Sequence, residues 1–446
     1  MAQNYQINNG ATNFIGKNKK EHSKMKLLII YHCGLSGDVK ASYREYVGQG
    51  IDLAVIVPSK IILQLPHTSS GGYFYGSKDD ESGYRFFPVD LRKPQSYGEG
   101  FKFFQLFKTI KKINPDVIHV YDEYSSFYLA QVIICRNILY GHPSKTGILA
   151  KPKILASLRK DTAWRGKKVP IVCYAAQNIQ NKILPPSFIF DSLGHFLKRT
   201  LRKIIQPIAL FLNKKYLDGV TGISTEPLEI IKKIGARMPM RRIFYGVDFG
   251  VFYPKSRNVY REKLGIPKDI KLIGNIGRFN EEKGLQNLIK ATSQLDKYYL
   301  MLLGSGTYEP TLQNIIDSLG LRKRFFHFKN IDRQDLANYY NVLDVFVLPS
   351  LTTLDWKEQY GRVLVEAMAC GLTIVGSSSG AISEVLEGYP KSLIFKEDDV
   401  KDLIEKIKEA ENLKFPENFN LDEFLYKFGV ENFVREHIKF YNELLK

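Results

Sequence analysis

At 446 residues the chain is too long for one core and suits two domains of roughly 200 residues each. A composition of 44% hydrophobic and 25% charged residues excludes a disordered or fibrous protein, and no apolar run reaches the roughly 18 residues needed to span a bilayer. The net charge of +18 is uneven: residues 1–250 hold 37 Lys and Arg against 18 Asp and Glu, a balance of +19, and residues 251–446 come to −1.

That asymmetry points to an anionic partner for the first half: a phosphate-bearing acceptor, a membrane surface or nucleic acid. No basic cluster is interleaved with aromatics in a recognisable module, so nucleic acid is not the expectation. Residues 1–24 are polar, carry no apolar leader segment and are expected to be disordered, with folding from Met25. Cys33, Cys135, Cys173 and Cys370 are scattered without metal-type pairing and read as reduced, structural thiols of a cytoplasmic protein.

In chain order, Lys26–Tyr31 reads as a buried strand, followed by a loop whose Gly34 and Gly37 allow a close backbone approach to a ligand. A helix over 41–49, a strand over Ile51–Pro58, loops or a hairpin over 66–100 and an amphipathic helix over Phe101–Ile113 come next. Strands follow at Val117–Val120 and Val169–Ala176, with surface loop at 144–153 and 159–168 between them. At the strand ends Asp122, Glu123, Gln177 and Asn178 are placed to orient a hydroxyl, and His119, within its strand, reads as a packed histidine. Across 189–217 apolar residues recur at helical spacing around Lys198, Arg199, Arg202 and Lys203, with a break expected at Pro207. This basic amphipathic stretch suits either a membrane interface or a domain surface with a solvated basic face.

A linker is expected over 245–267, and a second domain from about Ile270. Its strands read at 272–276, 299–303, 325–328, 345–348 and 373–375. Strands alternating with helices at this spacing imply a parallel, doubly wound sheet in each half. Arg278 and Lys283 follow the strand LIGNIG, at the carboxyl edge where ligands of such sheets bind. Two cations there suit the charge developing on a departing diphosphate. Gly304 and Ser305 form a tight loop after the next strand. The densest stretch is 344–388: a buried strand, a polar loop with Glu358, a helix from Gly361 to Cys370 with Glu366 inside it, a strand, and a Ser/Gly loop with Gly380. A carboxylate accepts from two adjacent hydroxyls at once, so Glu358 and Glu366 suit a sugar ring or a ribose diol, with phosphates against Tyr360, Gly361 and Arg362. A final helix, 430–445, is free to pack back on either domain.

The string E-x7-E followed by AMACG and SSGAISE, together with GISTEP, YGVDFGVFYP, GRFNEEKG and LLGSG, resembles the donor half of retaining glycosyltransferases of family 4 over residues 215–390. The first half matches only in layout. The resemblance implies the GT-B fold, two Rossmann-like domains facing a cleft: an acceptor domain over 25–245, a donor domain over 246–427, and a final helix from 428. It further implies transfer of a sugar from a nucleotide-sugar donor to a saccharide or anionic lipid-linked acceptor in surface-glycan biosynthesis, with retention. Within it Arg278 and Lys283 would bind the diphosphate, Glu358 the sugar and Glu366 the ribose. The nucleotide sugar is then a substrate; no cofactor and no metal are expected, since no Asp-x-Asp pair stands at a sheet edge. Acceptor attack from the leaving-group side is the usual proposal for such enzymes. The histidine that many relatives carry in the first half has no evident counterpart, which leaves Asp122, Gln177 and Asn178 as candidates beside the acceptor. Rival readings are a nucleotide-sugar hydrolase, epimerase or phosphorylase on the same fold, and a non-catalytic protein that binds a membrane surface.

Overall fold

The computed structural model describes residues 24–31, 37–63, 72–75, 83–93, 100–141, 167–177 and 207–446. Expectations for residues 1–23, Gly34, Asn178, 144–153, 159–166 and 189–206 lie outside them.

Buried apolar runs form the central strands of both sheets. The first sheet holds β1 (Lys26–Tyr31), β2 (Asp52–Pro58), β5 (Arg85–Val89), β6 (Val117–Tyr121), β7 (Ile171–Ala175), β8 (Gly219–Gly222) and β9 (Met240–Arg242), with β3 (Lys60–Leu63) and β4 (Gly72–Tyr75) as a separate antiparallel hairpin. Its order is β5-β2-β1-β6-β7-β8-β9 and all its pairings are parallel. The second sheet holds β10 (Lys271–Ile276), β11 (Tyr298–Leu303), β12 (Phe325–Phe328), β13 (Val345–Leu348), β14 (Thr373–Ser377) and β15 (Ser392–Phe395), in the parallel order β12-β11-β10-β13-β14-β15. In both sheets the order reverses beside the first strand, at β1/β6 and β10/β13. The carboxyl ends of those strands open a crevice there.

Two findings correct the reading by pattern. The stretch 66–100 contains a parallel edge strand, β5, rather than only loops or a hairpin. The linker is shorter than 245–267, because Arg257–Lys263 is a helix of the second domain. Its Arg261 is buried: it reaches the Val342, Lys268 and Ile270 carbonyls at 3.0 Å and Asp344 at 2.8 Å. Of the amphipathic stretch, the described part, 207–216, is helical from Pro207 on.

The Val430–Leu445 helix lies on the first domain although it follows the second in sequence. Gly219 makes room for it, since a Cβ there would sit 2.9 Å from Phe440 and Leu444. Tyr441 hydrogen-bonds His119 Nδ1 at 2.5 Å and the Tyr46 hydroxyl at 3.3 Å. His119 and His437 are both fully buried, with rings 5.1 Å apart. Burial holds both imidazoles below their ordinary range, His437 at about 4, and the neighbouring His437 lowers His119 further. Both are neutral in the fold, so protonation favours the unfolded chain. Their contribution is complete above the unfolded value of about 6.5 and is lost as pH falls toward 4. For His437 alone the loss by pH 4 is roughly 3 kcal/mol. Urea unfolding at pH 7 and pH 4.5 should show stability falling with acid, and His437→Gln should flatten that slope; an unchanged slope would place the acid sensitivity elsewhere.

Candidate functional site

The switch point of the second sheet brings two loops together: 277–284 after β10 and 349–361 after β13. Lys283 Nζ donates to Glu358 Oε2 at 2.8 Å, and Ser350 Oγ donates to the same oxygen at 2.8 Å. The pair is nearly enclosed, with side chains 16% and 9% exposed, and Lys283 lies 4.4 Å over the Trp356 ring. A buried pair of this kind contributes little net stability but fixes position, because removing either member strands the other charge.

Glycines set this geometry. Gly284 has φ +65, and a Cβ there would fall 1.9 Å from the Pro349 carbonyl, so the loops meet backbone to backbone. Gly380 has φ +54, and a Cβ would fall 2.0 Å from the Glu358 carbonyl, which accepts the Ala381 N–H at 3.0 Å. Gly380→Ala should therefore displace Glu358 and cost about 2–4 kcal/mol. Denaturant unfolding and a donor-binding titration would check it; wild-type values in both would mean that the backbone contact is dispensable.

Arg278 is exposed in the same loop as Lys283. The loop is stitched to the β11 turn: Phe279 N–H donates to the Ser305 carbonyl at 2.9 Å, and Gly304 leaves space for the Gly277 carbonyl, 1.9 Å from a would-be Cβ. Gly304 and Ser305 thus stand beside Arg278 through their backbone.

The Arg362–Ala369 helix begins at Gly361, whose φ of +72 and contact with Leu348 and Leu364 suit only glycine. One and a half turns in, Glu366 is 2% exposed. Tyr340 donates its hydroxyl to Oε2 at 2.8 Å, while Arg333 and Arg362 reach Oε1 at 3.3 and 3.4 Å. Tyr360 departs from the sequence reading. Its ring is buried against Phe244, 6.0 Å between centroids, and its hydroxyl donates to the Tyr245 carbonyl in the linker. Its side chain braces the domain junction, leaving only its backbone to serve a ligand.

The first sheet contributes its own switch point. Asp122 Oδ1 accepts the Glu123 N–H at 2.8 Å, and Glu123 accepts the backbone N–H groups of Ala176, at 3.3 Å, and of Gln177. Burial raises both carboxyls, Asp122 to about 6 and Glu123 to about 7, the latter helped by the Asp122 charge. Gln177 thus enters through its backbone, and Gly37 opens the Gly37–Gly48 helix. Tyr174 lies within electrostatic reach of Glu123 on one side and of Tyr245 and Tyr360 on the other, so this edge faces the second domain. Ser224 Oγ donates to the Gln359 carbonyl at 3.2 Å, and Lys357 pairs with Glu226, which joins the loop before Glu358 to the first domain.

Sequence reasoning missed Ser350, Arg333, Tyr340 and Trp356. Ser350 and Trp356 had a signal, their place on the loop that follows the strand and carries Glu358; Arg333 and Tyr340 reach the site from distant elements and had none.

Residues 256–426 match the family model described as glycosyl transferases group 1. Over 170 residues the chain is 32% identical to a D-inositol 3-phosphate glycosyltransferase of Mycolicibacterium smegmatis, covering 37% of this chain and 38% of that protein. Over 290 residues it is 26% identical to a GDP-mannose-dependent monoacylated alpha-(1-6)-phosphatidylinositol monomannoside mannosyltransferase of Corynebacterium glutamicum, covering 61% of this chain and 72% of that one. The first match thus spans well under half the length of its relative. Among solved structures, sucrose-phosphate synthase from Thermosynechococcus elongatus superposes with a TM-score of 0.65 at 16% identity, covering 94% of this chain and 99% of that one. That likeness shows the fold, two Rossmann-like domains in the GT-B arrangement.

Proposed function

With a group 1 glycosyl transferase domain over residues 256–426, we propose that this protein moves a sugar from a nucleotide-sugar donor to a saccharide or lipid-linked acceptor. The observation that carries the reading is the Lys283–Glu358 pair at the β10/β13 switch point, with exposed Arg278 in the same loop. A donor diphosphate offers these cations a doubly charged partner, and Lys283 leaving Glu358 for phosphate frees the carboxylate for the sugar hydroxyls. Glu366 takes the ribose diol, exchanging part of its arginine contacts for hydroxyls.

Departure of the nucleoside diphosphate needs its growing charge neutralised. Arg278 and Lys283 supply that without a metal, and the acceptor attacks on the face the diphosphate leaves, giving retention. Asp122 and Glu123 lie at the opposing edge, where an acceptor hydroxyl would be oriented. Closure about the linker would exclude water from the donor.

Exposed Phe104, Ile208 and Phe211, with Lys214 and Lys215 beside the last two, support an acceptor presented at an anionic lipid surface on the inner face of the membrane, in surface-glycan synthesis. Among the described residues no helix is long and apolar enough to cross a membrane.

A calorimetric screen of UDP, GDP, ADP, TDP and CMP tests the donor site. One nucleoside diphosphate should bind, and Glu366→Gln should weaken it at least about tenfold, the cost of roughly one charge-assisted hydrogen bond. Binding of none would remove the donor reading.

A further inference from the structure

A cleft lies at the opposite end of the second domain from the donor machinery. It is a half-open cavity of about 570 Å³ at the amino ends of β10, β11, β13 and β14. That size is ample for a small phosphorylated metabolite. Four cations line it: Lys255, Arg257, Lys271 and Lys391.

Two carboxylates share the wall, and both are already engaged. Asp344 accepts from Arg261 at 2.8 Å, from the Leu272 N–H at 2.7 Å and from Arg257 at 2.5 Å. Glu411 takes the Tyr298 hydroxyl and stands 3.8 Å from Lys271. The other two ammonium groups are held by neutral oxygens. Lys255 donates to the Asn338 side-chain oxygen at 2.9 Å, and Lys391 to the Gly371 carbonyl at 2.6 Å, with its charge 4.9 Å over Phe415. Among the described residues neither touches a carboxylate. A partly enclosed cleft with surplus cations on a low-dielectric wall concentrates anions.

We infer that this cleft is a second anion site, which takes a small phosphate-bearing molecule between Lys255, Arg257 and Lys391. Burial and the nearby Arg257 both lower the Lys391 pKa, which is what an uncompensated cation in a closed wall experiences and what an incoming anion relieves. Lys255 and Arg257 begin the domain just past the linker, and Gly371 follows the helix that carries Glu366, so a ligand here would bridge the two. The site does not depend on the transfer reading, since it shares no residue with the donor loops.

The test is calorimetric titration of inorganic pyrophosphate into the full chain carrying Arg278→Ala and Lys283→Gln, which removes the donor-side grip on phosphate. Binding should persist in that background, and adding Lys391→Gln should weaken it at least tenfold. Because Lys391→Gln also removes a bond to Gly371, Lys255→Gln is measured alongside and should weaken binding in the same direction. Absence of binding in the Arg278→Ala, Lys283→Gln protein would overturn the site. So would binding that neither lysine substitution alters.

Discussion

Glu358→Gln should lower the rate of sugar transfer about 10²–10³-fold while leaving nucleoside diphosphate affinity unchanged or improved. The carboxylate holds Lys283 in the free protein and, on the proposed reading, takes sugar hydroxyls in the complex. Glutamine keeps the volume and one acceptor oxygen for Ser350, so the loop stays in place. The lost charge removes the interaction that grows as positive character develops at the sugar, a loss of the size seen when a single preorganised partner is deleted. Lys283, no longer paired, is free for phosphate. Glu358→Ala would confuse this result, because it strands a lysine only 16% exposed and costs stability as well. Lys283→Gln makes the opposite case: rate and nucleotide affinity should fall together. Steady-state rates with separate calorimetric affinities decide it, and transfer by Glu358→Gln within threefold of wild type would exclude Glu358 from the sugar site.

The second domain was legible because its central strands are buried on both faces and read as unbroken apolar runs, as Val345–Leu348 does; the half-buried edge strand Phe325–Phe328 also falls where the pattern puts it. Elements hidden from that reading have physical reasons. The Phe127–Leu139 helix is buried on nearly every side, so it shows no amphipathic period. β8 is only Gly-Val-Thr-Gly, and its first glycine serves the C-terminal helix rather than the sheet. In the Arg257–Lys263 helix the one buried residue is an arginine, satisfied by three carbonyls and Asp344 that no local pattern announces.

The site divides in the same way. Lys283 and Glu358 stand on the loops after β10 and β13 and Glu366 inside the helix that follows, the local positions that the sequence pattern gives them. Tyr360 could not be assigned correctly, because the side on which its ring packs depends on Phe244 and Tyr245 across the domain junction. Arg333 and Tyr340 hold Glu366 from elements 33 and 26 residues away.

Acceptor activation is the step where the first domain should show itself, and Glu123 is the group to test. Its carboxyl titrates at about 7, against about 6 for Asp122, because burial disfavours its charge and Asp122 adds a like charge beside it. A carboxyl raised in the fold is easier to protonate there than in the unfolded chain. Its ionisation therefore costs stability as pH rises from the ordinary carboxylate range through 7. For an acceptor hydroxyl the useful form is the carboxylate, so kcat/KM should climb with pH to a plateau above about 7. Glu123→Gln should abolish that limb and lower kcat/KM about 10²-fold, with donor affinity unchanged because the residue belongs to the other sheet. Asp122→Asn should instead move the limb downward, by removing the neighbouring charge that raises Glu123. These two substitutions separate a proton acceptor from a residue that tunes it. A limb that survives unaltered in Glu123→Gln would leave the acceptor proton to the departing diphosphate itself.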